Sequence, residues 1–330
     1  LSELIRLIQN EMIKIVRKKR FLVIFLILTI LIPIFVYAQM RQTETLQERM
    51  GDADWQTVFQ QQIVDSQNRL SSSQIPEEWK KVLRINIEQN QFYLDHNINP
   101  TNPGGPTFAK EFLENSISLF LPLLIMIVAT DLISGEHGEG TIKLLLTRPV
   151  KRWKILLSKL LSLLLFVSLI VAALIIIAYI ISGTIFGYSG WDAPILTGFN
   201  IVNDQLDTSH VQLIPLWQFI MMSGGFAWFV GIIIGIISLM VSVLVRSSVA
   251  GMGIMLASLI SGTVLTAMAS SWEGSKYLYV TNLELIKYLT GDLPPVTGMT
   301  LPFSLMILSV WGIVALIVAF VTFNRQDMLA

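Results

Sequence analysis

Asp131-Leu-Ile-Ser134-Gly-Glu136-His-Gly-Glu-Gly140-Thr141-Ile-Lys-Leu144-Leu145-Leu-Thr-Arg148-Pro149-Val-Lys-Arg152-Trp-Lys-Ile-Leu-Leu-Ser-Lys159 is polar, broken by glycine and rich in basic residues. It lies between two apolar runs, 117–133 and 160–182. Runs of that length can cross a bilayer, so a charged stretch clamped between them must sit at a membrane surface. Read this way, the stretch is a connection between two membrane spans.

The remaining sequence agrees. Of 330 residues, 53% are hydrophobic and 14% charged, whereas soluble domains carry about 25% charged residues. Basic and acidic residues balance at 23 each, so net charge points to no partner, and nothing here calls for nucleic acid. Cysteine is absent, which excludes disulfides, thiolate metal sites and cysteine nucleophiles.

Six apolar runs approach the roughly 20 residues a spanning helix needs: 21–37, 117–133, 160–182, 216–245, 249–271 and 301–323. The first follows the basic flank Arg17-Lys18-Lys19-Arg20. It reads as a retained span, not a cleaved signal, because no small-x-small site precedes Gln39. Basic residues cluster before span one, between spans two and three, and at Arg246 and Arg325, while the 183–215 connection has no lysine or arginine. The positive-inside rule then puts both termini in the cytoplasm. The expected location is the cytoplasmic membrane of a bacterium.

The predicted fold is an all-α integral membrane protein with six transmembrane helices. Residues 1–20 form an amphipathic interfacial helix, with Leu4, Ile5, Ile8, Met12, Ile15 and Val16 at helical spacing. Span one covers 21–38. Residues 39–115 form an extracytoplasmic helical hairpin, with a second helix opening at Pro76-Glu77-Glu78. This segment is too small for a robust core of its own and is expected to pack against the membrane part or a second copy. Residues 116–330 hold spans two to six and the cytoplasmic loop 134–159. A short interfacial or re-entrant helix is expected near 283–289. Small residues in span four, Gly231 and Gly235 among them, read first as close packing within the chain.

No Gly-x-x-x-x-Gly-Lys-Ser/Thr phosphate loop, His-Glu-x-x-His or Gly-x-Ser-x-Gly elbow occurs. His96, His137 and His210 lie far apart, and Glu136-His137-Gly138-Glu139 lacks metal-ligand spacing. The chain therefore reads as no enzyme, with no catalytic residue, metal or cofactor of its own. The spans contain almost no ionisable residue; Asp131, at the inner end of span two, reads as a helix-ending or gating carboxylate. Such sparse intramembrane charge disfavours an ion-coupled carrier.

Within the loop, Gly135, Gly138 and Gly140 interrupt the helix of span two. Thr141 is a good N-cap for two turns over 142–147, and Pro149 ends them. The result is a short transverse helix presenting Leu144, Leu145 and Leu146 beside cations, a surface that wants a partner or the bilayer.

This loop resembles that of the type-2 permeases of ATP-binding-cassette exporters. The likeness rests on Asp131, Ser134, Glu136, Gly140-Thr141, Leu144-Leu145, Pro149-Val150, Arg152 and Lys159. The resemblance implies a coupling helix that docks on separate cytoplasmic ATPase subunits, which would hold ATP and magnesium. It implies coupling roles for Glu136, Gly140, Thr141, Leu144, Leu145, Arg148, Pro149 and Arg152, and gating or helix-end roles for Asp131 and Lys159. It also implies a second permease chain, identical or related, and a hydrophobic or amphipathic substrate or an ion. The alternatives are a non-transporting membrane sensor or immunity scaffold, and an ion-coupled secondary carrier.

Overall fold

A computed structural model describes residues 2–18, 20–50, 54–100, 104–142, 150–202, 205–268, 272–296 and 298–325. The first helix, α1 (Ser2–Arg17), turns its Leu4, Ile8, Glu11 and Ile15 side toward the rest of the chain. Ile5, Ile13 and Val16 stay exposed, as the outer flank of an interfacial helix would be. Next, α2 (Arg20–Met50) buries Ile24, Leu28, Ile32 and Val36 at four-residue spacing. It runs well past the predicted end of span one at residue 38, because the polar stretch after it keeps helix-favouring residues and meets no glycine before Gly51.

The outer segment folds into the expected helical hairpin, α3 (Trp55–Leu70) and α4 (Glu77–Asp95). The two pack along each other, with Phe59 edge-on to Tyr93 at 6.1 Å. On α4, Leu83 and Ile85 are buried, whereas Trp79 and Val82 are exposed.

Span two differs most from the sequence reading. It is built from α5 (Gly105–Ser116), α6 (Phe120–Ala129) and α7 (Asp131–Gly138) in series. The three-residue break at 117–119 separates α5 from α6. Gly135 does not interrupt α7, which ends at Gly138; the turn out of it passes through Gly140, whose φ of 68° favours glycine.

The third span, α8 (Arg152–Phe186), begins inside the stretch read as a loop. Gly105 accepts a close approach to Gly183 and Gly187 at its outer end, so α5 runs antiparallel to it. Two antiparallel strand pairs follow: β1 (Pro194–Thr197) with β4 (Gln212–Pro215), and β2 (Asn200–Val202) with β3 (Gln205–Asp207). They nest, with Ile195 opposite Ile214 and Ile201 opposite Leu206. The chain is mostly helical, in keeping with the expected helical membrane protein, and it adds a small β element that the sequence reading did not include.

The remaining spans are α9 (Leu216–Leu244), α10 (Ser248–Met268) and, after short 3-10 turns and α11 (Lys287–Thr290), α12 (Leu301–Arg325). Among the described residues, six helices are long and apolar enough to cross a membrane. The spans built on α6 and α9 are largely covered by the rest of the chain, whereas α2, α10 and α12 leave most of their surface open. Gly231 and Gly235 sit against Ile125, Val167 and Leu163, so the small residues of α9 serve packing with α6 and α8. Gln89 donates to the carbonyls of Thr290 and Gly291 at 3.1 and 3.0 Å, and Phe92 meets Phe199 edge-on at 5.6 Å. The helical hairpin is thus seated on the segments that follow α8 and α10.

Candidate functional site

Four charged side chains are buried among the described residues, Glu11, Asp131, Glu136 and Lys159, and they belong to one cluster. The cluster forms where α1 crosses the end of α7 and the start of α8. Glu11 is one of the positions that α1 turns inward, at the spacing 4-8-11-15, so the helix delivers a carboxylate where its apolar side would otherwise continue. Lys159 is the eighth residue of α8 and is 1% exposed.

Lys159 Nζ donates to Glu11 Oε2 at 2.8 Å and to Glu136 Oε1 at 2.9 Å. Lys14 Nζ donates to the same two carboxylates, at 3.0 and 2.8 Å. Two ammoniums and two carboxylates thus close a ring that joins three helices. Lys18 adds a second tie, with Glu139 Oε1 at 2.8 Å and Asp131 Oδ2 at 3.3 Å. At the start of α1, Glu3 accepts from Lys154 at 2.8 Å, and Ser162 donates to the carbonyl of Ile8 at 3.3 Å. Burial alone would lower the Lys14 ammonium, but Glu136 and Glu11 outweigh it and hold it above its usual value. Lys18 is raised in the same way, by Glu139 and Asp131 against burial.

A cation as buried as Lys159 is tolerated only when paired and hydrogen-bonded, since stripping water from an unpaired charge costs several kcal/mol. The ring meets that demand. It ties α1, α7 and the first turns of α8 into a single electrostatic block.

Local geometry prepares this block. Gly135 is required by its neighbour, because a Cβ there would run into the Asp131 carboxylate one turn earlier. The joint between α6 and α7 is held from outside by Ser242 of α9, whose Oγ accepts the backbone N–H groups of Ile133 and Ser134, both at 3.0 Å. Thr130 at the joint donates to the carbonyl of Met126 at 2.6 Å.

Asp131, read from sequence as a helix-end or gating group, opens α7, and Lys159 is the eighth residue of α8; both are buried members of the network. Glu136 is at its centre. Gly140 and Thr141 lie on its exposed edge, with Thr141 Oγ1 3.4 Å from the carbonyl of Glu136. Arg152 opens α8 and donates to the carbonyl of Asn324 at 3.3 Å. Leu144, Leu145, Arg148 and Pro149, and with them most of the expected 142–147 helix, lie outside the described residues. The sequence reading missed Glu11, Lys14 and Lys18; the available signal was a carboxylate at a stripe position of α1. It also undercounted buried charge near the spans. Among the described residues, no group of three or more His, Cys, Asp or Glu could hold a metal ion.

A family model described as DUF2705, protein of unknown function, matches residues 82–329, from within α4 to beyond α12. The chain belongs to the DUF2705 family. Of the cluster, Asp131, Glu136 and Lys159 fall inside the matched region, whereas α1 lies before it. In Bacillus subtilis (strain 168), the uncharacterized protein YhcI is 27% identical over 273 residues, which is 81% of this chain and 84% of YhcI. The uncharacterized membrane protein YdbK of the same strain is 26% identical over 215 residues, 64% of this chain and 80% of YdbK. This DUF2705 chain is thus similar to a protein described as a membrane protein, in keeping with its six apolar helices.

Proposed function

We propose that this chain is the transmembrane permease subunit of an ATP-driven exporter, moving a hydrophobic or amphipathic substrate, or an ion, when paired with a separate ATPase subunit. The resemblance of the 131–159 stretch to the coupling loops of type-2 permeases motivates the reading. One structural observation carries it further. Both flanks of residues 143–149 are tied to α1 through Glu11, Lys14, Lys18, Asp131, Glu136 and Lys159.

Force applied to that stretch would reach α7 and α8 together, since they are joined to each other and to α1 by charged contacts at 2.8–2.9 Å. Rigid-body rocking of bundles against each other needs this kind of stiff input. The buried charges gather at helix ends on one side and do not continue as a chain through the bundle, which favours an external energy source over an ion-coupled carrier. The uncovered apolar surfaces of α2, α10 and α12 are compatible with lipid and with a second permease chain. Both termini are assigned to the cytoplasm on the distribution of basic residues.

The test is co-expression with a phosphate-loop ATPase encoded beside it. Wild-type permease should co-purify with that ATPase and stimulate ATP hydrolysis. Leu145→Asp should abolish stimulation while leaving the permease folded in the membrane. Unchanged stimulation in that variant would remove the coupling assignment.

A further inference from the structure

Pro33 lies in the interior of α2. It has no amide hydrogen, so the carbonyl of Thr29, one turn earlier, lacks the donor that an unbroken helix supplies. The other prolines within described helices, Pro106, Pro122 and Pro302, fall in first turns, where an amide has no partner in its own helix. Thr29 is the midpoint of the apolar run 21–37, about 12 Å of helix from either end. At that depth lipid tails offer no hydrogen bond, and a neighbouring helix is the usual source of one.

The side of α2 that carries this carbonyl is uncovered. Ile24, Leu28, Ile32 and Val36 face the rest of the chain. Leu22, Leu26, Thr29, Pro33 and Tyr37 are exposed, Leu22 and Leu26 at 59% each. Positions 22, 26, 29 and 33 follow the 4-3-4 spacing of a seam between two helices wound along each other. Thr29 also holds a donor. Its Oγ gives its hydrogen to the carbonyl of Phe25 in the same helix, at 2.8 Å. A hydroxyl and an unmet carbonyl thus belong to one residue on one open face. Such a face complements itself, and a two-fold axis brings each residue near the axis against its own counterpart.

We propose that α2 packs against α2 of a second copy of this chain along Leu22, Leu26, Thr29 and Pro33, with the Thr29 hydroxyl of each copy donating to the Thr29 carbonyl of the other. Lipid would cover the same stripe without meeting that carbonyl. No proline interrupts the interior of α10 or α12, so their open faces carry no comparable acceptor. The inference rests on the exporter reading in one respect, the expectation of a second permease chain; it adds that this chain is a copy and that α2 is the seam. Leu145→Asp tests coupling to an ATPase, whereas the pairing is measured with no ATPase present, so the two fail separately.

The full-length protein provides the test, and its lack of cysteine lets single cysteines report proximity in membranes. Leu22→Cys and Leu26→Cys should form disulfide-linked dimers on mild oxidation. Ile317→Cys, on the exposed face of α12, should not. Förster transfer between donor- and acceptor-labelled protein, diluted in liposomes, gives the dimer dissociation constant. Thr29→Val keeps the shape and removes the hydroxyl; it should weaken the dimer about tenfold, since two bonds between helices are lost. In a Pro33→Ala background residue 33 supplies the amide, and Thr29→Val should then change the constant less than about twofold. Should Pro33→Ala misfold, Thr29→Val alone and the oxidation pattern decide. An unchanged constant in Thr29→Val, no dimer from positions 22 and 26, equal linkage at position 317, or linkage of position 26 to a different protein in place of a second copy would overturn the pairing.

Discussion

Lys159 has 1% of its surface exposed, and two carboxylates from two other helices meet its Nζ. Removing only the cation strands Glu11 and Glu136 in a place that water reaches poorly. Lys159→Met is therefore expected to cost about 3–5 kcal/mol, the range for breaking a buried pair by deleting one partner. Adding Glu136→Gln to it should cost much less than the sum of the two single changes, since the second substitution removes the charge left behind. Denaturation of the purified protein in detergent, run as a double-mutant cycle, measures both quantities; strictly additive losses would show that the two groups do not act as a pair. How much of this was legible varies by residue. Glu11 sits on an apolar stripe of α1, so its inward direction could be read from helical periodicity. Glu136 and Lys159 are 23 residues apart, and their meeting depends on the antiparallel register of α7 and α8, which no local pattern reveals. Asp131 reads as a helix-end carboxylate from its place at the end of an apolar run, and it does open α7; that a Cβ at Gly135 would meet its carboxylate was not legible.

Among the elements, the long apolar helices are the readable part. Predicted runs 216–245 and 301–323 correspond to α9 and α12 within two residues at each end, because hydrophobic length is a strong signal. The nested strands β1–β4 were not readable. Each is three or four residues long, too short for alternation to stand out. Their pairing is supported by tertiary ties, such as Thr197 donating to the carbonyl of Leu289 at 2.8 Å. The division of span two escaped notice for a related reason: residues 117–119 contain neither glycine nor proline. Glycine in α9 does carry a packing message. A Cβ at Gly231 would come within 2.8 Å of both Ile125 and Val167, whereas one at Gly225 would meet nothing within 4 Å. Gly231→Leu should therefore overpack the crossing of α6, α8 and α9 and destabilise by about 1–3 kcal/mol or more. Gly225→Leu should melt close to the wild type. If the two variants melt together, α9 is not seated against those helices as described.

For the whole molecule, the lack of native cysteine makes topology directly measurable. Single cysteines placed at residues 10, 145 and 325 should react with a membrane-impermeant maleimide only after the cells are opened. One at Ser72, in the turn between α3 and α4, should react in intact cells. Labelling of residue 145 from outside would invert the orientation drawn from basic residues and remove the site proposed for force input. The architecture also limits how the molecule can move. Two amide protons of α7 are held by a hydroxyl that belongs to α9, Ser242. Slippage of one helix along the other by a single turn would leave both donors facing hydrocarbon, at a cost of several kcal/mol for each. That serine works as a bolt: α7 and α9 travel as one plate, and any gating displacement has to open along a different seam.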